Sequence, residues 1–248
     1  MDNRVFISFS AKDRVYADMV LNYLENKFDI KCWICYRDLV EGSVFSEDIN
    51  NAIKSCSCLV LLRSRSSKEA EDAKNELGIA ETYNKTVIFY TIDDFELEDI
   101  FEHDNKKKHW IDIIDCHKKE LYDLALSVCK IVGDEIHIQI SIVLEVIASI
   151  GNGATPELIQ KLVDEGYRLT QLYKKRPESF KKKYESLSSF EKTYSDFCNE
   201  IQRIIAEHNG DIANNHTMAL KLLNDMLNEL NEYNCDGAFR KIITANNN

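Results

Sequence analysis

The sequence predicts a parallel α/β sheet wrapped by helices in its first half and an all-helical bundle in its second. Three observations lead there. Apolar runs rich in β-branched residues alternate with amphipathic segments about five times over roughly the first 130 residues. The alternation fades near Glu135, beyond which every segment reads helical. The chain also opens on Val5-Phe6-Ile7-Ser8-Phe9-Ser10, a buried-strand pattern closed by small polar residues and followed by a helix. In a parallel sheet the carboxyl end of such a strand borders the ligand crevice, which places Ser8, Phe9 and Ser10 there.

The first helix begins around Asp13, with Tyr16, Met19, Val20, Tyr23 and Leu24 as its apolar stripe. Ile30 to Cys35 reads as a second strand and Tyr36 to Ser43 as a polar loop, in which Gly42 supplies the freedom for a turn. A helix follows with Phe45, Ile49, Ala52 and Ile53 inward. Cys58 to Leu62 is continuously hydrophobic, as a central parallel strand should be, and gives way to a polar loop over Arg63 to Ser67. Ala73, Leu77 and Ala80 mark the next helix, and Thr86 to Thr91 the fourth strand. Asp93 to Lys108 reads as an exposed loop, Trp110 to Ile114 as a fifth strand, and Leu121, Leu124, Ala125 and Val128 as a closing helix. Five alternations of this kind predict a flavodoxin-like, five-stranded parallel sheet.

Composition narrows the function classes. A formal charge of −11 opposes a nucleic-acid or anionic-membrane partner, since both demand an extended basic surface. No leader pattern is evident at Met1-Asp2-Asn3-Arg4 and no window approaches the ~18 apolar residues of a membrane span, so a cytoplasmic protein is expected. Cys32 and Cys35 have the spacing of a metal or redox pair, but in an extended strand residues three apart face opposite ways, so the cysteines are read as small buried hydrophobes. The histidines show no ligand spacing, and no metal is expected.

Phe6-Ile7-Ser8-Phe9-Ser10 with Asp13, then Trp33 and Arg37-Asp38 ahead of Gly42, then Ser64 and Asn75-Glu76-Leu77 with Ala80, resemble in order and spacing the successive boxes of a TIR (Toll/interleukin-1 receptor) domain. The resemblance covers residues 1–134. It implies one of two functions: a scaffold that signals by TIR association, or an enzyme that cleaves NAD+ at the nicotinamide glycosidic bond. Enzymatic members use a glutamate on the helix after the third strand, and Glu76 holds the matching position. The resemblance further implies that Ser8, Phe9, Ser10, Arg37, Asp38, Gly42, Phe45 and Ser64 border the substrate, with NAD+ as substrate and no separate cofactor. Arg37 and Arg63 are the candidates for attracting the diphosphate, and the Asp38–Phe45 loop resembles the loop that gates the pocket and mediates assembly.

The chemistry stands independently of the resemblance. Nicotinamide in NAD+ is a pyridinium that departs neutral, so no acid is needed to protonate it. One carboxylate that stabilises the developing oxocarbenium charge is then adequate where ordinary glycosidases use two. Two departures matter: Asp72 stands one turn before Glu76, where enzymatic relatives often carry Trp, and Glu41 precedes Gly42 where many have Pro. The first removes an aromatic wall and adds negative charge beside the carboxylate.

Residues 135–248 carry no catalytic constellation. Ile138 to Ile150 is strongly apolar and ends at Gly151-Asn152-Gly153, and Thr155-Pro156-Glu157 is a capped start for the next helix. Its apolar face runs through Leu158, Ile159, Leu162, Val163, Leu169 and Leu172. Pro177 restarts the chain, Ser188 and Glu191 offer a capping box, and Leu187, Phe190, Tyr194, Phe197, Ile201 and Ile204 step at coiled-coil spacing. Asn209-Gly210-Asp211 breaks that run; Leu220, Leu223, Leu227 and Leu230 mark a last helix before Asn246-Asn247-Asn248. Short connections favour an antiparallel bundle, expected to serve oligomerisation or docking. The expected whole is a cytoplasmic TIR-domain NAD+ nucleosidase of a microbial, anti-phage immune system. It would yield ADP-ribose or a cyclic isomer, form a homo-oligomer through both halves, and work beside a separate effector or sensor protein; the alternative is a non-catalytic scaffold.

Overall fold

Strands β1 (Val5–Ser8), β2 (Cys32–Trp33), β3 (Cys58–Arg63), β4 (Thr86–Thr91) and β5 (Lys108–Ile111) form one parallel sheet in the order β2-β1-β3-β4-β5. They belong to a computed structural model that describes residues 5–39, 44–92, 108–111, 118–208 and 217–230. Val5 pairs with Cys32 on one side and Cys58 on the other, so β1 is flanked by strands that the chain reaches in opposite directions. The carboxyl ends of β1 and β3 therefore bound a topological switch point, the place where open α/β sheets generally bind their ligands. Gly42, segment 93–107, positions 112–114, Asn209-Gly210-Asp211 and Asn246-Asn247-Asn248 lie outside the described residues.

Alternation along the strands sorts the core into two faces. On one, Phe6, Trp33, Leu59, Leu61, Val87 and Phe89 pack under Ile49 and Ile53 of α3 (Phe45–Ser55) and Leu77 and Ala80 of α5 (Glu71–Thr82). Trp33 stacks on Phe6 with ring centroids 4.7 Å apart. Ser8 continues the parity of Phe6 and so points to this same face. The opposite face is covered by α1 (Arg14–Phe28) and α6 (Lys118–Val132), which meet where Phe28 approaches Tyr122.

Several boundaries differ from the sequence reading, each for a local reason. The buried stripe of α1 is Ala17, Val20, Leu21, Leu24 and Phe28, leaving Tyr16, Met19 and Tyr23 at its edges. β2 is only two residues long because the expected loop begins as α2 (Cys35–Asp38), whose start is held by the Ile34 N–H donating to Asp38 Oδ2 at 2.8 Å. Ser64 caps a short α4 (Arg65–Glu69) where a loop was expected. β5 starts at Lys108 rather than Trp110. Cys56 and Cys58 are buried, and burial pushes their thiols up to about 11 and about 12.

The chain divides into two compact units, Met1–Gly133 and Asp134–Asn248. The second consists, among the described residues, of α7 (Glu135–Gly151), α8 (Pro156–Lys174), α9 (Glu178–Lys183), α10 (Glu185–His208) and α11 (Thr217–Leu230). Thr155 Oγ1 accepts from the Leu158 N–H at 3.2 Å and Pro156 opens α8, so the expected cap forms. Ser188 does not cap: α10 already begins at Glu185, three residues earlier. α7 packs on α8 and α10 on α11, enclosing Val143, Ile147, Leu162, Leu169, Phe190, Phe197 and Met226. None of the described helices is long and apolar enough to cross a membrane.

Gly166 is what lets α8 approach α10. A Cβ there would meet the Tyr194 ring at 2.4 Å, and that ring is fixed by its hydroxyl donating to the Val163 carbonyl at 2.6 Å. Gly166→Ala is therefore expected to destabilise this unit by about 1–3 kcal/mol despite the better helix propensity of Ala, as read by chemical denaturation.

Candidate functional site

Glu76 is carried inward by its neighbours. Ala73, Leu77 and Ala80 must face the sheet, and at helical spacing Glu76 is swept into the same buried sector of α5, leaving it 7% exposed. A carboxyl so placed needs a partner, because a buried polar group without a hydrogen bond is costly. Ser8, itself 1% exposed at the end of β1, donates its hydroxyl to Glu76 Oε2 at 2.5 Å. The bond joins residues 68 apart in sequence and ties the carboxyl to the switch point between β1 and β3.

Electrostatics at this position oppose ionisation. Burial pushes the Glu76 carboxyl up to about 7, the nearby Asp72 charge adds to the rise, and the Ser8 hydroxyl works against it. Cys35, the half-buried first residue of α2, lies within electrostatic reach of Glu76 and Asp72; its thiol is raised first by burial and then by Glu76. Nothing in the sequence marked Cys35 as a neighbour of Glu76, since only the packing of α2 brings it there. Asp72→Asn should lower the Glu76 midpoint by about half a pH unit, because Asp72 is solvent-exposed and its charge is screened. A carboxyl-detected NMR titration reads this directly.

Phe9 follows Ser8 and is partly buried, with its ring edge-to-face against Tyr36 at 5.8 Å. Tyr36 donates its hydroxyl to Asp18 Oδ1 and receives the Arg14 guanidinium over its ring, 4.2 Å from the centroid. The phenol is pushed up to about 12, by burial first and then by that hydrogen bond. The sequence pointed to Phe9 and passed over Tyr36, a partner supplied by the unexpected helix α2.

The remaining expected site residues are engaged elsewhere. Ser10 is buried, its carbonyl accepting from the Asp13 N–H at 2.7 Å. The Ser64 hydroxyl donates to Asp13 Oδ2 at 2.5 Å and accepts from the Ser67 N–H at 2.9 Å. Ser64 thus ties the loop after β1 to the loop after β3.

Arg37 donates to both oxygens of Glu25 at 3.0 and 2.9 Å, to both of Asp38 at 2.9 Å each, and to the Cys32 carbonyl at 2.7 Å. These bonds hold the guanidinium more basic than usual. One cation between two carboxylates clamps α2, and Asp38 belongs to the same clamp. Arg63 is 0% exposed and donates from Nε and Nη2 to Thr91 Oγ1 at 2.9 and 2.6 Å, within the flank of the sheet. Phe45 is not inward either: it is 57% exposed on the first turn of α3, beside Val44 at 59%. The geometry thus brings Ser8 and Glu76 together and gives Arg37, Asp38 and Ser64 structural partners.

The family model for the TIR domain matches residues 5–125. No curated protein matches the chain. Among solved structures, the TIR domain of the Toll-related Receptor TRR-2 from the lower metazoan Hydra magnipapillata is 20% identical, covers 50% of this chain and 96% of its own, and superposes with a TM-score of 0.42.

Proposed function

Because residues 5–125 are a TIR domain, we propose that the crevice at the carboxyl ends of β1 and β3 cleaves the nicotinamide–ribose bond of NAD+, with Glu76 as its catalytic carboxylate. The observation that carries this reading is the buried Glu76 side chain held by Ser8 at the switch point of the sheet. A surface glutamate of an amphipathic helix has no reason to be there, and an ionisable group raised to about 7 in a crevice is a functional candidate.

In the reaction the C1′–N bond breaks and its electron pair passes to the pyridinium, which leaves as neutral nicotinamide. The ribosyl carbon gains oxocarbenium character, and the ionised Glu76 stabilises that charge at short range in a dry setting. Water capture then gives ADP-ribose and a proton; capture by a nitrogen of the substrate's own adenine gives a cyclic isomer. Assembly of TIR domains, promoted by the helical unit, raises activity in the setting of a microbial immune response.

A second reading, a non-catalytic scaffold, is favoured by the exposed Val44–Phe45 pair and by Asp72 in place of an aromatic wall. Chromatography of NAD+ incubated with concentrated or crowded protein separates the two. Nicotinamide release supports the enzyme; intact NAD+ under every assembling condition leaves the scaffold.

A further inference from the structure

Ser8 enters the site by sequence as a residue that would touch substrate, yet its hydroxyl is buried and turned to a protein oxygen. We infer that Ser8 is a positioning residue: its hydroxyl donates to Glu76 Oε2 and fixes the carboxylate at the tip of β1, leaving Oε1 to face the reacting ribose. This rests on the catalytic reading of Glu76 above.

Three observations converge on it. The bond is 2.5 Å, in the range of a charge-assisted O–H···O− contact, so it is matched to the ionised carboxylate. Ser8 lies in a strand locked on both sides, pairing with Leu61 of β3 while Val5 and Phe6 of β1 pair with β2. Its hydroxyl therefore starts from a rigid base, whereas the glutamate on α5 has a long side chain whose rotamers need a fixed point. Finally, no other described side chain donates to Glu76, while burial and the Asp72 carboxylate on its own helix disfavour its charge; Cys35 at the start of α2 faces it as a thiol that burial first and Glu76 second hold in the neutral form. Ser8 is the group that opposes burial and Asp72.

The test is a carboxyl-detected NMR titration of Glu76 in the full chain carrying Ser8→Ala, Ser8→Cys or Ser8→Thr, paired with steady-state NAD+ cleavage. Ser8→Ala should raise the Glu76 midpoint by about one to two pH units, since a donor to a charged acceptor is lost. Ser8→Cys keeps the volume with a weaker donor and should fall between, and Ser8→Thr, which keeps the hydroxyl, should return toward the parent. In turnover the alanine variant should lose about 10- to 100-fold in kcat at pH 7 with KM little changed, because ground-state binding is not what Ser8 supplies. An unmoved Glu76 midpoint in both the alanine and cysteine variants overturns the inference, as does a raised KM with kcat intact. A parent chain that leaves NAD+ whole overturns the catalytic reading instead, and the titration still decides whether Ser8 holds the carboxylate.

Discussion

Glu76→Gln is expected to lower nicotinamide release from NAD+ by about 10²- to 10³-fold, the usual consequence of removing one preorganised electrostatic partner from a transition state. Gln keeps the size of the side chain and an acceptor oxygen for the Ser8 hydroxyl, so the contact between α5 and the end of β1 should be kept. What disappears is the negative charge opposite the ribosyl carbon. The loss should fall on kcat, since a neutral amide still fills the space against which the substrate binds. Circular dichroism of the variant should match the parent.

The same substitution should make the protein more stable, and by an amount that depends on pH. In the unfolded chain a glutamate titrates near its ordinary value of 4.5, whereas folding raises Glu76 to about 7. The unfolded state therefore binds fewer protons between these values, and stability falls as pH rises from below 4.5 through 7. Above that window Glu76 costs the fold up to about 3 kcal/mol, which Gln does not. Denaturant titrations at pH 4 and pH 8 should show a gap between variant and parent that is small at the lower pH and largest at the higher. A group retained against stability is what a functional carboxylate looks like.

Much of this was legible in the chain itself. Continuous apolar runs such as Cys58 to Leu62 predict buried parallel strands, and β3 occupies Cys58–Arg63. Thr155-Pro156 predicts a helix start that forms as expected. The ordered boxes around Ser8 and Glu76 pointed to the two residues that the fold joins. What could not be read were pairings between residues distant in sequence. Arg37 looked available to an anion because Glu25, its partner, lies 12 residues upstream on α1, and Arg63 looked exposed because it ends a strand, while Thr91 on the adjacent strand draws it inside. Ser64 and Asp13 are 51 residues apart, and their bond appears only once β1 and β3 lie side by side. The misplaced capping box at Ser188 has a different origin: Tyr184 already interrupts the chain after α9, so α10 starts before the stronger local signal is reached.

If an ionised Glu76 drives the bond breaking, nicotinamide release must follow the titration of that carboxyl. With Glu76 raised to about 7 in the substrate-free protein, kcat/KM of the assembled parent should climb as pH increases from 5.5 to 8.5, half-maximal near pH 7, while the residual kcat/KM of Glu76→Gln stays flat over that range. A parent profile that is flat across the same range, or a glutamine variant that retains the parent's rise, would mean that the Glu76 charge is not what breaks the bond.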